Sequence, residues 1–155
     1  MISKLSKILL ITLSLLIFVT CAKKKEEIIP NTYVNFTIRL DDPKFTDLHA
    51  IGNSVIITNE YAGRSSAGYD YNGIIVYRFS EDEFYAFDRT CPFNISNSIS
   101  VTTENTSDPI AECPECGSEY VLPSLAFPTE KGPSRVPLKK YNTIKVGIVF
   151  LQGDS

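Results

Sequence analysis

Histidine is almost absent from this 155-residue chain. His49 is the only one, and it lies more than forty residues before Cys91, the first of three cysteines in the C-terminal half. These cysteines lie in two proline-containing segments, DRTCPFN (88–94) and AECPECGSEY (111–120), and neither segment contains a histidine. No nucleophile–base pair of the kind that hydrolysis requires is visible. Three loop cysteines without an evident fourth ligand are therefore the candidate site.

Positive charge and helical periodicity are also scarce. Beyond residue 20 the chain carries 13 basic and 18 acidic side chains, a net charge of −5 with no basic cluster. This balance argues against nucleic-acid binding. No long segment has a 3.6-residue apolar period, and TDLHAIG alone could form a helical turn. About 135 residues remain after residue 20, enough for one domain with its own core, and no repeat is visible.

What the chain does contain is a series of strand patterns. VNFTIRL (34–40) places Val34, Phe36, Ile38 and Leu40 at strict period two, as in a half-buried strand. Further β-branched and aromatic runs are SVIIT, GIIVYRF, EFYAF and SEYVL, and YNTIKVGIVFLQ predicts a closing hairpin that turns at Gly147. Turn residues separate these runs. The pattern predicts an all-β sandwich or barrel.

The first twenty residues predict export rather than structure. MISKLSK is a basic stretch, and the apolar run ILLITLSLLIFVT is too short for the roughly 20 residues of a membrane-spanning helix. A short anchor or a plain secretory signal fits this pattern. Cys21 directly after Phe-Val-Thr instead resembles a bacterial lipoprotein signal.

That resemblance implies a signal peptide at residues 1–20, a lipid (palmitate) attachment at Cys21, and a polar tether over residues 21–32. Ala22 in place of an aspartate implies the outer membrane, with the domain facing the periplasm or the cell surface. The charged run KKKEE resembles that of surface-exported lipoproteins from Bacteroides-like bacteria, although a solvated linker explains it equally well. The membrane is then one partner, and no motif identifies a protein partner.

Beyond the tether, the ordered motifs resemble a Rieske iron–sulfur domain. These motifs are IIVYRFSEDEFYAFDRTCPF, then CPECGSEYVL, then Gly132-Pro133-Ser134 and the Pro-Leu-x-x-Tyr strand ending at Tyr141. The resemblance covers roughly residues 50–151 and implies an all-β fold of small antiparallel sheets. It implies a Rieske-like domain over residues 33–155, with a cluster-loop subdomain over about 89–128. The polar segment between the loops (95–112) is slightly longer than is usual in the family, and we expect it to be a solvated insertion.

The departures from the family fall on the metal ligands. A Rieske centre binds a two-iron, two-sulfur cluster through two cysteines on one iron and two histidines on the other. Cys91 and Cys113 match the cysteine positions, whereas Phe93 and Cys116 stand at the histidine positions. Phenylalanine has no lone pair to donate, so the ligand set is incomplete.

The resemblance also assigns roles around the second loop and to the cysteine pair. Ser118 and Tyr120 match positions that hydrogen-bond to cluster sulfurs in respiratory Rieske proteins; as alternatives, Ser118 is a turn hydroxyl and Tyr120 a core aromatic. In the Rieske geometry Cys91 and Cys113 bind the same iron, so without iron they are candidates for a disulfide. Closing that loop of about 20 residues contributes roughly 3 kcal/mol in the chain-entropy model.

Three interpretations of the cysteines remain open. The first is a Cys91–Cys113 disulfide without a cofactor, with Cys116 free or pairing instead. The second is an atypical two-iron, two-sulfur cluster held by Cys91, Cys113 and Cys116, with Asn94, Ser118, His49 or water as the fourth donor. The third is zinc binding or thiol redox chemistry at the Cys113–Cys116 CxxC motif, although a strand rather than a helix follows it.

The sequence therefore predicts a membrane-anchored envelope lipoprotein with a Rieske-like fold and an incomplete cluster site. Its expected role is non-enzymatic binding or assembly, with the loops joined by a disulfide and no cofactor. The alternative is a periplasmic electron carrier with a three-cysteine cluster.

Overall fold

The computed structural model describes residues 29–146 and 148–152. The predicted signal peptide, the lipid attachment at Cys21, most of the tether and the hairpin turn at Gly147 lie outside the described residues. Over the described ranges, no helix is long and apolar enough to cross a bilayer.

The described residues form nine strands and several single-turn helices. The strands are β1 (Asn35–Ile38), β2 (Ser54–Ile57), β3 (Ile74–Arg78), β4 (Phe84–Asp88), β5 (Ile110–Glu112), β6 (Glu119–Val121), β7 (Phe127–Pro128), β8 (Lys140–Val146) and β9 (Ile148–Gln152). One α-helical turn, α1 (Asn59–Ala62), is accompanied by 3-10 turns at Pro43–His49, Arg64–Ser66, Tyr69–Tyr71, Ile95–Asn97 and Leu122–Ser124. The predicted all-β class is confirmed. Part of TDLHAIG lies in the 3-10 turn at Pro43–His49, but the expectation that it alone could form a helical turn is wrong, because short polar loops elsewhere also form single turns.

The strands divide into two antiparallel sheets. The described part of the chain contains a six-stranded sheet in the order β1-β9-β8-β4-β3-β2 and a three-stranded sheet in the order β5-β6-β7. In the large sheet, β3 and β4 pair from Ile74 opposite Asp88 to Arg78 opposite Phe84. The small sheet lies within the part of the sequence that carries the cysteine loops. The predicted architecture of small antiparallel sheets with a loop subdomain is therefore confirmed.

Strands β3 and β4 are buried on both faces, which is why their sequences are continuously apolar rather than alternating. Because side chains alternate along a strand, each strand contributes to two cores. The first core contains Val76 and Ala86 and packs against Phe45 and Leu48. The second core contains the neighbouring residues on the opposite face and packs against the cysteine loops; its members are Ile75, Tyr77, Tyr85, Phe87, Cys91, Val101, Ala111, Cys113, Tyr120, Leu122, Ala126 and Leu138.

The segment between the cysteine loops is not a solvated insertion, so that prediction is wrong. Its Ile110–Glu112 portion is strand β5, and Val101 and Ala111 are fully buried in the second core. Isolated bridges pair Thr90 with Ser100 and Thr102 with Glu112. These apolar residues therefore anchor the otherwise polar segment in the second core.

The end of the predicted tether lies against the domain. Ile29 is buried, and the Lys139 ammonium donates hydrogen bonds to the carbonyl oxygens of Ile29 and Pro30, at 3.3 and 3.0 Å. The contacts of the domain therefore extend upstream of the predicted boundary at residue 33.

Candidate metal and thiol site

The two cysteine loops bring three sulfur atoms together. Cys91 follows β4, whereas Cys113 and Cys116 lie in the turn between β5 and β6. Their Sγ atoms all lie within 4.8 Å of one another, and those of Cys91 and Cys116 are 3.7 Å apart. Cys91 and Cys113 are buried and Cys116 is partly exposed. We call these three residues the cysteine triad.

The first loop is held at its base by polar groups other than cysteine. Asp88, fully buried at the end of β4, accepts hydrogen bonds from the Thr90 and Tyr69 backbone N–H groups and from the Tyr141 hydroxyl, at 2.7–2.8 Å. The Cys91 N–H donates to the Ile99 carbonyl at 2.8 Å and closes the loop. The sequence contained no signal for Asp88, because a buried aspartate is apparent only when its three donors are seen together.

A side-chain network across the first loop adds to this support. The Asn72 amide donates to the hydroxyls of Thr90 and Ser98, at 2.9 and 3.0 Å. The Ser100 hydroxyl in turn donates to the Asn72 side-chain oxygen at 2.8 Å. Asn72 thus connects the two ends of the loop that carries Cys91.

The second loop is a tight turn covered by the Gly-Pro-Ser element. The Cys113 N–H donates to the Ser118 carbonyl and the Gly117 N–H to the Cys113 carbonyl, both at 2.9 Å. The buried Ser118 hydroxyl accepts the Ser134 backbone N–H at 3.0 Å. At Gly132 a Cβ atom would lie 2.5 Å from Ser118 backbone atoms, so glycine is required for this close approach.

Two hydroxyl groups contact the sulfurs. The Ser118 Oγ lies 3.2 Å from Cys116 Sγ, and the Tyr120 hydroxyl lies 3.3 Å from Cys91 Sγ. Tyr120 is fully buried in the second core, so it is a core aromatic and a sulfur contact at once. Whether these groups bond to a cluster, as the resemblance implies, stays a prediction.

The three thiols are electrostatically unequal. The pKa of Cys113 is raised to about 12, mainly by burial and to a smaller extent by its contacts with Cys91 and Cys116, against the opposing effect of backbone hydrogen bonds. Burial also raises the pKa of Cys116, but hydrogen bonds from the Ser118 hydroxyl and N–H outweigh this, so the net shift is downward. Cys116, the most accessible of the three, therefore ionises more readily than Cys113.

The ligand atoms near the triad determine which metal centres it can bind. Within the described residues, the group of metal-ligating side chains contains these three sulfurs and no histidine or carboxylate. Phe93, at the first histidine position, is 53% exposed and offers no donor atom. His49 lies apart, with its Nε2 2.6 Å from the Leu40 carbonyl oxygen. A complete Rieske ligand set is therefore absent from the described residues, whereas three soft sulfur ligands are present.

No disulfide joins the triad, since all three cysteines are free thiols and the 3.7 Å separation of Cys91 and Cys116 exceeds the bond length of about 2.05 Å. The predicted Cys91–Cys113 bridge stays a prediction for the oxidised chain. Beside the sulfurs is a cavity of about 10 Å³, lined by Cys91, Phe93, Asn94, Ile99, Cys113, Glu115 and Cys116. That volume corresponds to roughly one water molecule.

Comparisons with known proteins add little to this description. No family model matches the chain, and no curated protein matches it. One solved structure that matches is described as the complex of reduced oxygenase and oxidized ferredoxin in carbazole 1,9a-dioxygenase. The match covers 81% of this chain and 96% of that chain at 21% identity, with a TM-score of 0.48. Values this low carry no argument about the site or its chemistry.

Proposed function

We propose that the chain is a non-enzymatic, Rieske-like protein of the cell envelope that binds a soft metal centre through the cysteine triad. The observation that carries the proposal is the meeting of three sulfur atoms within 4.8 Å on two separate loops. Cysteine sulfur is the ligand that zinc, copper(I) and iron–sulfur centres prefer. Hydrogen bonds with Asp88, Asn72 and Ser134 support the two loops that carry the sulfurs.

Binding, rather than catalysis, fits the space at the site. The cavity beside the sulfurs is about 10 Å³, too small for an organic substrate. Within the described part of the chain, no histidine or carboxylate joins the three sulfurs to serve as a general base. The proposed role is therefore metal binding in an assembly at the envelope, with a protein partner still to be identified.

The location rests on the N-terminal sequence. Signal cleavage before Cys21 and lipidation of that cysteine would place the domain on the outer membrane, facing the periplasm or the surface. A Cys21→Ser variant should then remain in the soluble fraction, whereas the parent chain should partition with detergent. Equal partitioning of the two chains would contradict the lipid anchor.

An electron carrier with a two-iron, two-sulfur cluster is the second candidate. The observation that favours it is the pair of hydroxyl contacts, Ser118 to Cys116 and Tyr120 to Cys91. Hydrogen bonds to ligand sulfurs tune the reduction potentials of such clusters. This candidate needs a fourth ligand that the triad does not supply, and water or Asn94 would have to provide it.

An oxidised, metal-free form with a disulfide is a further state of the same site. An exported protein meets an oxidising compartment in which neighbouring thiols pair. Cys91 is common to the two pairings under consideration, with Cys113 as the resemblance implies or with Cys116 as the 3.7 Å separation suggests. Either bond would remove two metal ligands, so oxidation and metal binding exclude each other.

The deciding experiment is a metal, sulfide and thiol analysis of the chain purified without oxygen. Bound metal that is lost when the triad is alkylated supports the proposal. Broad visible bands with about two irons per chain would favour the electron carrier. A metal-free chain that takes up no soft metal after full reduction would refute both, and would leave the disulfide form.

A further inference from the structure

The spacing of the triad indicates how many metal ions it binds. This inference rests on the proposed function. Cys91 Sγ and Cys116 Sγ are 3.7 Å apart, and Cys113 Sγ is within 4.8 Å of both. Two thiolates bound tetrahedrally to one zinc ion, each with a Zn–S bond of about 2.3 Å, have sulfurs roughly 3.8 Å apart. The observed separation matches two ligands of one ion.

A two-iron cluster would arrange the same residues differently. In a Rieske centre each iron takes its own pair of protein ligands. Cys91 matches a ligand of one iron and Cys116 stands at a ligand position of the other. Those two sulfurs would lie on opposite sides of the bridging sulfides, yet they are in direct contact here. A direct contact between these two sulfurs fits two ligands of one ion better than ligands of two separate irons.

The free volume leads to the same conclusion. The cavity among the triad, Phe93 and Asn94 is about 10 Å³. It has room for roughly one atom of the size of a water oxygen. A single ion fits that space with the sulfurs where they are, whereas two irons and two sulfides require the loops to open.

A metal ion would bind the cysteines as thiolates, and two of these sulfurs have hydrogen-bonding partners. Ser118 Oγ accepts the Ser134 N–H and lies 3.2 Å from Cys116 Sγ, which donates to it as a thiol; once Cys116 is a metal-bound thiolate, the Ser118 hydroxyl can donate in the reverse direction. The Tyr120 hydroxyl lies 3.3 Å from Cys91 Sγ, within hydrogen-bonding distance. Such outer contacts orient metal-bound ligands and share their charge.

The fourth side of the site opens to solvent. Phe93 and Asn94 are exposed at its mouth, and Glu115, which also lines it, accepts a hydrogen bond from the Asn97 amide at 2.6 Å. None of these side chains belongs to the group of ligand atoms that meet at the triad. We propose that Cys91, Cys113 and Cys116 bind one soft metal ion, zinc, as a three-thiolate centre whose fourth position is open to water.

Zinc K-edge X-ray absorption on the full-length chain tests this geometry directly. The chain is reduced with a phosphine, loaded with zinc chloride and washed with a weak chelator. We expect one zinc per chain with three sulfur neighbours at about 2.3 Å and one lighter neighbour. Two or fewer sulfurs around the zinc would overturn the inference, as would a chain isolated with two irons and two sulfides.

These outcomes separate the inference from the proposed function. A two-iron cluster lost on alkylation of the triad would refute the single ion but leave a soft-metal site in place. A reduced chain that binds neither zinc nor iron would refute both. Because the absorption measurement uses the parent chain, it does not depend on whether cysteine variants fold.

Matched variants assign the ligands. Cys91→Ser, Cys113→Ser and Cys116→Ser should each weaken zinc binding by more than the roughly 10–100-fold that loss of an outer hydrogen bond costs. The control is His49→Ala, which removes the only histidine, a side chain away from the triad. Unchanged zinc affinity in any of the three cysteine variants with native circular dichroism, or a large loss in the histidine control, would contradict the assignment.

Discussion

Replacing Gly132 by alanine tests whether the Gly-Pro-Ser element fixes the second cysteine loop. Gly132 has φ +77°, and an added Cβ would lie 2.5 Å from the Cα, N and Oγ atoms of Ser118. Two of these atoms belong to the backbone, so they cannot move aside as a flexible side-chain end would. Either the loop or the covering segment must shift, and the Ser134 N–H to Ser118 Oγ contact lies between them.

The expected cost has two parts. A left-handed conformation costs a residue with a Cβ about 1–2 kcal/mol. Overpacking at a closely packed position adds about 1–3 kcal/mol. Gly63 provides the control for a positive φ without a close approach, because its φ is +79° with ψ 152°, a conformation that costs a residue with a Cβ about 1–3 kcal/mol, and no atom lies within 4 Å of its added Cβ. Gly63→Ala should therefore lose only the first part.

Urea unfolding of both variants, followed by far-ultraviolet circular dichroism, measures the difference. With a denaturant slope of about 2 kcal/mol per molar, the midpoint for Gly132→Ala should fall roughly 0.5–1.5 M further than that for Gly63→Ala. Zinc affinity should fall in the Gly132 variant and stay unchanged in the Gly63 variant. Equal midpoints and equal affinities would refute the claim that the close approach at Gly132 holds the loop.

Three further predictions follow from the site and its support. Tyr120→Phe removes the hydroxyl beside a ligand sulfur and should weaken zinc binding about 10–100-fold in a chelator competition, with little change in fold; an unchanged affinity would contradict the proposed sulfur contact. The double variant Phe93→His/Cys116→His supplies the Rieske ligand set. It should yield visible absorption and two irons per chain on anaerobic reconstitution. A colourless product would count against the Rieske-like assignment. Tyr141→Phe should cost about 1.5–3 kcal/mol in urea unfolding, because the Asp88 carboxylate loses a buried donor at 2.7 Å. Burial and the neighbouring Asp88 raise the pKa of Tyr141 above its ordinary value of about 10, so its protonated form stabilises the fold below pH 10. That contribution is lost as the pH rises above 10, and the parent chain should therefore lose stability there more steeply than the variant.

The large sheet could be predicted because its sequence carries the pattern directly. The alternation in β1 and the continuous apolar runs of β3 and β4 each have one consistent interpretation, and turn residues separate them. Strands β5 and β7 could not be predicted, because three- and two-residue strands contain no full period. Val101 and Ala111 were missed for a related reason, since single small apolar residues in a polar segment do not indicate burial.

The site could be predicted as a set of residues but not as a geometry. The motif spacing brought Cys91, Cys113, Ser118 and Tyr120 into one expected centre, and the structure places them together. The spacing could not predict that Cys91 and Cys116 would be in contact, because that distance depends on how the two loops pack against each other. The short 3.7 Å contact follows from tertiary packing of the second core, to which both loops belong.

Hydrogen bonds from residues other than the cysteines support both loops of the site. Asp88 holds the first loop by accepting the Thr90 backbone N–H, and Asn72 holds it by donating its amide to the Thr90 hydroxyl. Ser134 holds the second loop by donating its N–H to Ser118 Oγ. None of these bonds involves Phe93, whose side chain is half exposed. A histidine at that position would therefore have contributed to metal binding far more than to folding. Phe93 supplies no ligand atom and takes no part in these supports, so the proposed ion rests on the three sulfurs of the triad.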